Sequence, residues 1–341
     1  VKEYIHKRGI SEFSIEKFEI GYAPASIDTI NFLKLNHYNL TDAIDLGIID
    51  TGTNGLYSRF IERITFPIYS ISAKLVGFGG RTITGHSAKY VNSPQTKLFN
   101  KSKLLYGYHL AKEHIYKRNQ IIVCEGYLDV IMLHQAGFNT AVATLGTALT
   151  AEHLPLLRRG EPKVLLAYDG DKAGLAAAFK ASVMLSQSEF EGGVIIFKDN
   201  MDPADMVHTG KIQELNEIFS APLSFSPFAI DYIISKYDIN DANQKQKALI
   251  EANDYLKTLG LIYQDEYKRY LAQKLNIREN LIQISSNKQR IFTPNLSKID
   301  IAELCIIKSI LEKPKRLDSV LDIIDSTMFE THKREFELLL N

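Results

Sequence analysis

Gln120-Ile121-Ile122-Val123-Cys124-Glu125-Gly126-Tyr127-Leu128-Asp129 is the stretch whose reading decides the fold. A short apolar, β-branched run stops at an acid, and a helical pattern follows. The motif recurs. Val164-Leu165-Leu166-Ala167-Tyr168 ends in Asp169-Gly170-Asp171, and Val194-Ile195-Ile196-Phe197 is followed by Asp199 and then Asp202-Pro203-Ala204-Asp205. With a further strand at 140–144 and helical spacing between, the order is β-α-β-α-β-α-β-α, which predicts a doubly wound parallel sheet. Ligands of such sheets collect at the carboxyl ends of the strands, where these acids fall.

Carboxylates gathered at one sheet edge repel each other, by roughly 4 kcal/mol for two unit charges about 4 Å apart at an effective dielectric near 20. A hard divalent cation removes that penalty. Oxygen-only donors without nearby His or Cys point to Mg²⁺ or Mn²⁺. The competing reading is that each acid caps a helix. Asp202 precedes Pro203, a residue suited to the first helical position, and Asp171 precedes the alanine-rich helix predicted over Lys172 to Gln187. Capping and metal binding do not exclude each other.

The overall charge balances, with 40 basic and 40 acidic residues in 341, but its distribution does not. Residues 1–119 hold 16 basic and 10 acidic side chains, and residues 120–223 hold 7 and 13. From Arg63 through Lys112 there are eight Lys or Arg and no acid at all. A basic surface beside an acidic cluster suits a polyanion held with metal ions. No apolar run approaches the roughly 18 residues of a membrane helix. Two isolated cysteines, Cys124 and Cys305, make neither a zinc site nor a disulfide framework and suit a reducing cytoplasm. Val1-Lys2-Glu3-Tyr4 has no initiator Met or signal pattern, so the chain reads as a piece of a longer one.

Upstream of the acidic stretch, residues 4–24 read as helix and turn, 27–50 as helix signals alternating with turns, and 64–69 and 75–83 as strands of a small sheet. Gly77-Phe78-Gly79-Gly80 lacks the following helix of a phosphate loop and reads as a strand that admits another backbone closely. Residues 89–103 mix cations, amides and aromatics, a composition for phosphate contacts and base stacking. Downstream, strands are expected to stop at Ala221-Pro222. A helical subdomain follows, then a linker at Gln289–Ser297 and a last helical set from about Asp300. The predicted architecture is an α/β parallel-sheet domain flanked by a basic α+β subdomain and a C-terminal helical bundle. Its boundaries are 1–116, 117–222, 223–290 and 291–341.

Glu125-Gly126-Tyr127-Leu128-Asp129-Val130, Gly146-Thr147-Ala148-Leu149-Thr150 and Asp169-Gly170-Asp171-Lys172-Ala173-Gly174 together resemble the Toprim domain of bacterial DnaG-type primases. Gly77-Phe78-Gly79-Gly80-Arg81, Lys89-Tyr90-Val91-Asn92-Ser93-Pro94, Lys101 and Leu105-Tyr106-Gly107 resemble that family's basic amino-terminal subdomain. The resemblance spans roughly residues 4–290. It implies template-directed synthesis of short RNA primers on single-stranded DNA from ribonucleoside triphosphates, with Mg²⁺ or Mn²⁺. It assigns catalysis to Glu125, Asp169 and Asp171, and metal binding to these and Asp202. Arg8, Arg81, Lys89, Asn92 and Lys101 are assigned to nucleotide or template. The family often has Asp-X-Asp where this chain has Asp202-Pro203-Ala204-Asp205, so Asp205 is out of register. The family's zinc-binding module is not in this chain. The segment after residue 300 resembles the start of a region that binds the replicative helicase. Two rival readings remain at this stage, a metal-dependent phosphoester hydrolase or nuclease and a non-enzymatic docking piece that binds single strands.

Overall fold

The acid-terminated runs do become adjacent strands. The protein is described here by a computed structural model, covering residues 1–53, 55–85, 88–197, 201–282, 284, 298–312 and 336. The chain divides into two units, Val1–Ser285 and Ser286–Asn341. In the first, the strands are β1 (Gly21–Ala23), β2 (Ile49–Gly52), β3 (Gly55–Ser58), β4 (Arg63–Tyr69), β5 (Leu75–Thr82), β6 (Tyr90–Asn92), β7 (Gln120–Cys124), β8 (Ala141–Ala143), β9 (Lys163–Leu166), β10 (Gly192–Val194) and β11 (Leu223–Ser224).

β7 to β11 form one sheet in the order β11-β10-β9-β7-β8. β7 pairs in parallel with both β8 and β9, and β9 with β10. The chain leaves β7 for one side and returns on the other, so the topological switch point lies between β7 and β9. Val123 stands opposite Leu166, and the Ala167 N–H donates to the Val123 carbonyl at 2.9 Å. That register brings the residues just beyond both strands, Glu125 and Asp169, to one place. Alternate residues of these strands face opposite layers. Ile122, Cys124 and Leu165 enter one core, and Ile121, Val123, Val164 and Leu166 the other. A sheet covered on both faces explains why the runs read as continuously apolar.

The first core does not stop at this sheet. It continues through Phe66, Ile64 and Ile68 of the amino-terminal sheet β1-β4-β5-β6 and through Ile5, Ile10 and Phe18. Tyr127, at the start of helix Tyr127–Gln135, is the joint. Its ring stacks on Phe66 at 5.0 Å and meets Tyr106 edge-on at 4.7 Å. The glycine-rich β5 explains how it fits. A Cβ on Gly79 would stand 2.3 Å from Cζ of Tyr127, and one on Gly80 2.6 Å from Phe60. The strand therefore admits aromatic rings rather than the neighbouring backbone expected from its sequence.

Two further expectations are corrected. The strand near 194 runs over Gly192–Val194, with Ile195 still donating to Leu166. Strands also do not end at Ala221-Pro222, because β11 adds an antiparallel edge to β10 and makes the sheet mixed. Helices Phe225–Ser235, Ala242–Leu256 and Leu261–Leu275 then build their own core around Ile230, Leu256 and Leu271. In the second unit a helix spans Lys298–Glu312. The linker expected at Gln289–Ser297, the helical pattern beyond 312 and the acid at Asp199 lie outside the described residues. Among the described residues no helix is long and apolar enough to cross a membrane.

Candidate active site

Glu125 follows β7 directly and is half-buried, its Oε1 accepting the Asp169 N–H at 3.3 Å. Asp169 follows β9. Asp171 is the N-cap of helix Lys172–Gln187, with Oδ1 accepting from the Gly174 N–H at 2.8 Å. Asp202 caps helix Pro203–His208, Oδ1 accepting from the Asp205 N–H at 2.6 Å. The capping reading is thus realised for both, at an end where the helix dipole also favours a negative charge.

Glu125, Asp169, Asp202 and Asp205 line one cleft of about 670 Å³, and Arg8, Arg81 and Lys89 line it with them. Arg81 is 6% exposed, its guanidinium 5.5 Å from the Tyr4 ring centroid and 5.0 Å from that of Tyr90. Its Nη1 donates to the Tyr90 hydroxyl at 2.5 Å, and its Nε has no partner among the described residues. Arg8 also lies over the Tyr4 ring, 5.7 Å from its centroid.

The acids are electrostatically frustrated. Burial, then the charge of Asp169, pushes the Glu125 carboxyl up to about 7. Asp169 is pushed up to about 6 by burial and then by Asp202 and Asp171, with Lys89 pulling the other way. Burial also raises Asp202, against the hydrogen bonds of its cap and the charge of Arg8. Among the described residues no group of three or more His, Cys, Asp or Glu side chains is arranged to hold a metal ion as it stands. The donor chemistry nonetheless fits a hard divalent cation. Glu125, Asp169, Asp202 and Asp205 bring carboxylate oxygens to a cleft that His208 also lines, against the expectation of no nearby His, and the residual repulsion that raises Glu125 and Asp169 is what such an ion relieves.

Not every residue singled out in the sequence meets in the cleft. Asp171 raises Glu125 electrostatically but is not in the cleft wall. Asn92 lies at the seam between the two sheets, its Nδ2 donating to the Leu145 carbonyl at 2.7 Å and its Oδ1 accepting from the Tyr127 hydroxyl at 2.6 Å. The Lys101 side chain is exposed and outside the cleft wall, while its carbonyl is 3.2 Å from His153 Nε2. His134 is a packed helix histidine. It lies 2.9 Å from the Ala141 carbonyl, and burial holds it down at about 4.

Among the cleft residues that escaped the sequence reading as site members are Asp129 and Tyr4, together with Lys7, Tyr90 and His208. Asp129 is 7% exposed, accepts from the Gly126 N–H at 3.0 Å, and is pushed well up by burial and by Asp202. Its position three residues after Gly126 is the available signal, since a carboxylate there caps its own helix. Tyr4 sits four residues before Arg8, hence on the same helical face.

Residues 1–112 match the family model for the N-terminal domain of the DNA primase catalytic core, and residues 119–202 match the Toprim domain. Residues 226–280 match the DnaB-helicase binding domain of primase, and 300–341 the C-terminal, helicase-binding domain of DnaG primase. A DNA primase of Helicobacter pylori is 45% identical over 357 residues, an alignment covering 98% of this chain and 63% of the relative. The RNA polymerase domain of Mycobacterium tuberculosis primase DnaG superposes with a TM-score of 0.73 at 31% identity, covering 80% of this chain and 90% of that one. A DnaG primase catalytic domain bound to single-stranded DNA gives 0.72 at 31% identity, covering 82% and 90%. The chain spans less than two thirds of the length of the curated relatives it matches.

Proposed function

The chain belongs to the bacterial DnaG-type primase family, and on that premise we propose that it is a metal-dependent nucleotidyltransferase that builds short RNA primers on single-stranded DNA. The observation that carries the reading is one cleft lined by both acids and cations. Glu125 and Asp169, adjacent through the β7–β9 register, line it together with Arg8, Arg81 and Lys89. Acids alone would fit a hydrolase equally well. The fixed cationic wall, held to the acids by a shared core, fits a triphosphate and a template phosphate chain.

Glu125 and Asp169, with Asp171 and Asp202 beside them, would hold Mg²⁺ or Mn²⁺. When bound, such an ion supplies charge neutralisation for the attacking 3′-oxygen and the departing pyrophosphate. Arg8, Arg81 and Lys89 orient the incoming triphosphate, and the Tyr4 and Tyr90 rings fix the Arg81 plane. Lys101, exposed beyond the cleft, would meet template, and Asn92 would position the two walls. We divide the chain functionally at about 116, 222 and 290, and assign it a cytoplasmic site of action with a replicative helicase as partner. The matches over 226–280 and 300–341 support that partner. The test is template-directed ribonucleotide incorporation. Glu125→Gln and Asp169→Asn are expected to abolish it while binding to single-stranded DNA survives. Unchanged synthesis in both variants removes these residues from the chemistry.

A further inference from the structure

Glu125 borders a second cavity. Besides the cleft it shares with the basic wall, it lines a space of about 350 Å³ with Thr144, Thr147, Tyr168, Gly146 and Ala177. Among the described residues no Lys or Arg lines this space, so its character is set by hydroxyl groups and small residues around a single carboxylate. Two of those hydroxyls, Tyr168 Oη and Thr147 Oγ1, are buried with no hydrogen-bond partner among the described residues, and Tyr168 is only 4% exposed. Native proteins seldom leave buried polar atoms unmatched, because each forfeits its hydration for nothing. Two residues that carry such atoms line one cavity at the edge of the candidate active site, and a ligand group seated there would supply the missing partners.

The chemistry of that group follows from what the cavity lacks. A triphosphate would meet the Glu125 carboxylate here and, among the described residues, no cation, whereas Arg8, Arg81 and Lys89 line the neighbouring cleft. A neutral group that both donates and accepts hydrogen bonds suits the cavity, and its small Gly146 and Ala177 walls suit a sugar ring. Resting on the primase reading above, we propose that this cavity seats the 3′-terminal ribose of the growing primer, with Tyr168 and Thr147 hydrogen-bonding its 2′-hydroxyl. Glu125 then stands between the primer end and the incoming triphosphate. Tyr168 and Thr147 are positioning residues that tell an RNA terminus from a DNA terminus.

The test compares two template–primer duplexes that differ only in a ribose or 2′-deoxyribose at the primer 3′ end. Binding is read by fluorescence anisotropy without nucleoside triphosphate, and single-nucleotide extension is read separately. The wild-type chain is expected to prefer the ribose terminus by about two- to tenfold, the range of one neutral hydrogen bond. Tyr168→Phe, which keeps the ring, and Thr147→Val should each move that ratio toward one. A ratio that is the same in wild type and both variants overturns the proposal. So does a loss shared equally by both duplexes, which would assign the hydroxyls to water or to the fold. Absent extension with the binding preference intact would sink the primase reading and leave the ribose seat standing. Active extension with no preference would sink the seat alone.

Discussion

Glu125→Gln separates charge from shape at the centre of the site. In the fold, burial and then Asp169 raise the Glu125 carboxyl from 4.5 to about 7. A carboxyl raised in the folded state holds its proton more tightly there than in the unfolded chain. Its stabilising contribution is therefore complete below about 4.5 and is lost as pH rises through about 7. At about 1.4 kcal/mol per pH unit the ceiling is near 3 kcal/mol. Solvent on the open side of the cleft screens this to about 1–2 kcal/mol. Without divalent metal, the variant should be more stable than wild type at pH 8, by roughly 2–6 °C in melting temperature for a unit of this size. The gap should shrink toward pH 5. His134, held down at about 4, has the opposite trend, its contribution being lost as pH falls from 6.5 toward 4. It is present in both proteins and cancels in the difference. Calorimetry in EDTA at several pH values measures this gap directly. A variant less stable at pH 8, or a gap independent of pH, refutes the electrostatic reasoning.

Gly79→Val drives a side chain into the Tyr127 ring, whose Cζ would lie 2.3 Å from the new Cβ. A loss of about 1–3 kcal/mol in denaturant unfolding is expected. In Gly174→Ala the new Cβ would stand 2.2 Å from the Asp169 carbonyl oxygen. Backbone cannot yield there without moving Asp169, so primer synthesis should fall about tenfold or more while affinity for single-stranded DNA holds. Lys89→Ala should flatten the plot of log affinity for single-stranded DNA against log salt by about 0.7, the signature of one lost phosphate contact.

What could be read from the sequence was whatever is local. Strand ends at Glu125 and Asp169 announce themselves by abrupt loss of apolar character. The caps at Asp171 and Asp202 follow from one side chain bonding a backbone N–H three residues on. What could not be read depends on pairing across distance. Nothing in Leu223–Ser224 marks a strand, because β10 alone imposes it. The Gly79–Tyr127 fit joins residues 48 positions apart. Asn92 has the residue type of a ligand contact, yet its amide bonds Leu145 and Tyr127 at the seam between the sheets. Asp129 hides for another reason, since a buried helix acid and an exposed one look alike until the neighbouring helix Pro203–His208 is placed.

The account rests on an ion shared by acids that the sheet register brings side by side. Anomalous diffraction from crystals soaked in Mn²⁺ tests it most directly. A peak within about 2.3 Å of carboxylate oxygens from both Glu125 and Asp169 is expected, abolished in Glu125→Gln. A Mn²⁺ peak away from these two residues, or none at saturating metal, would contradict it.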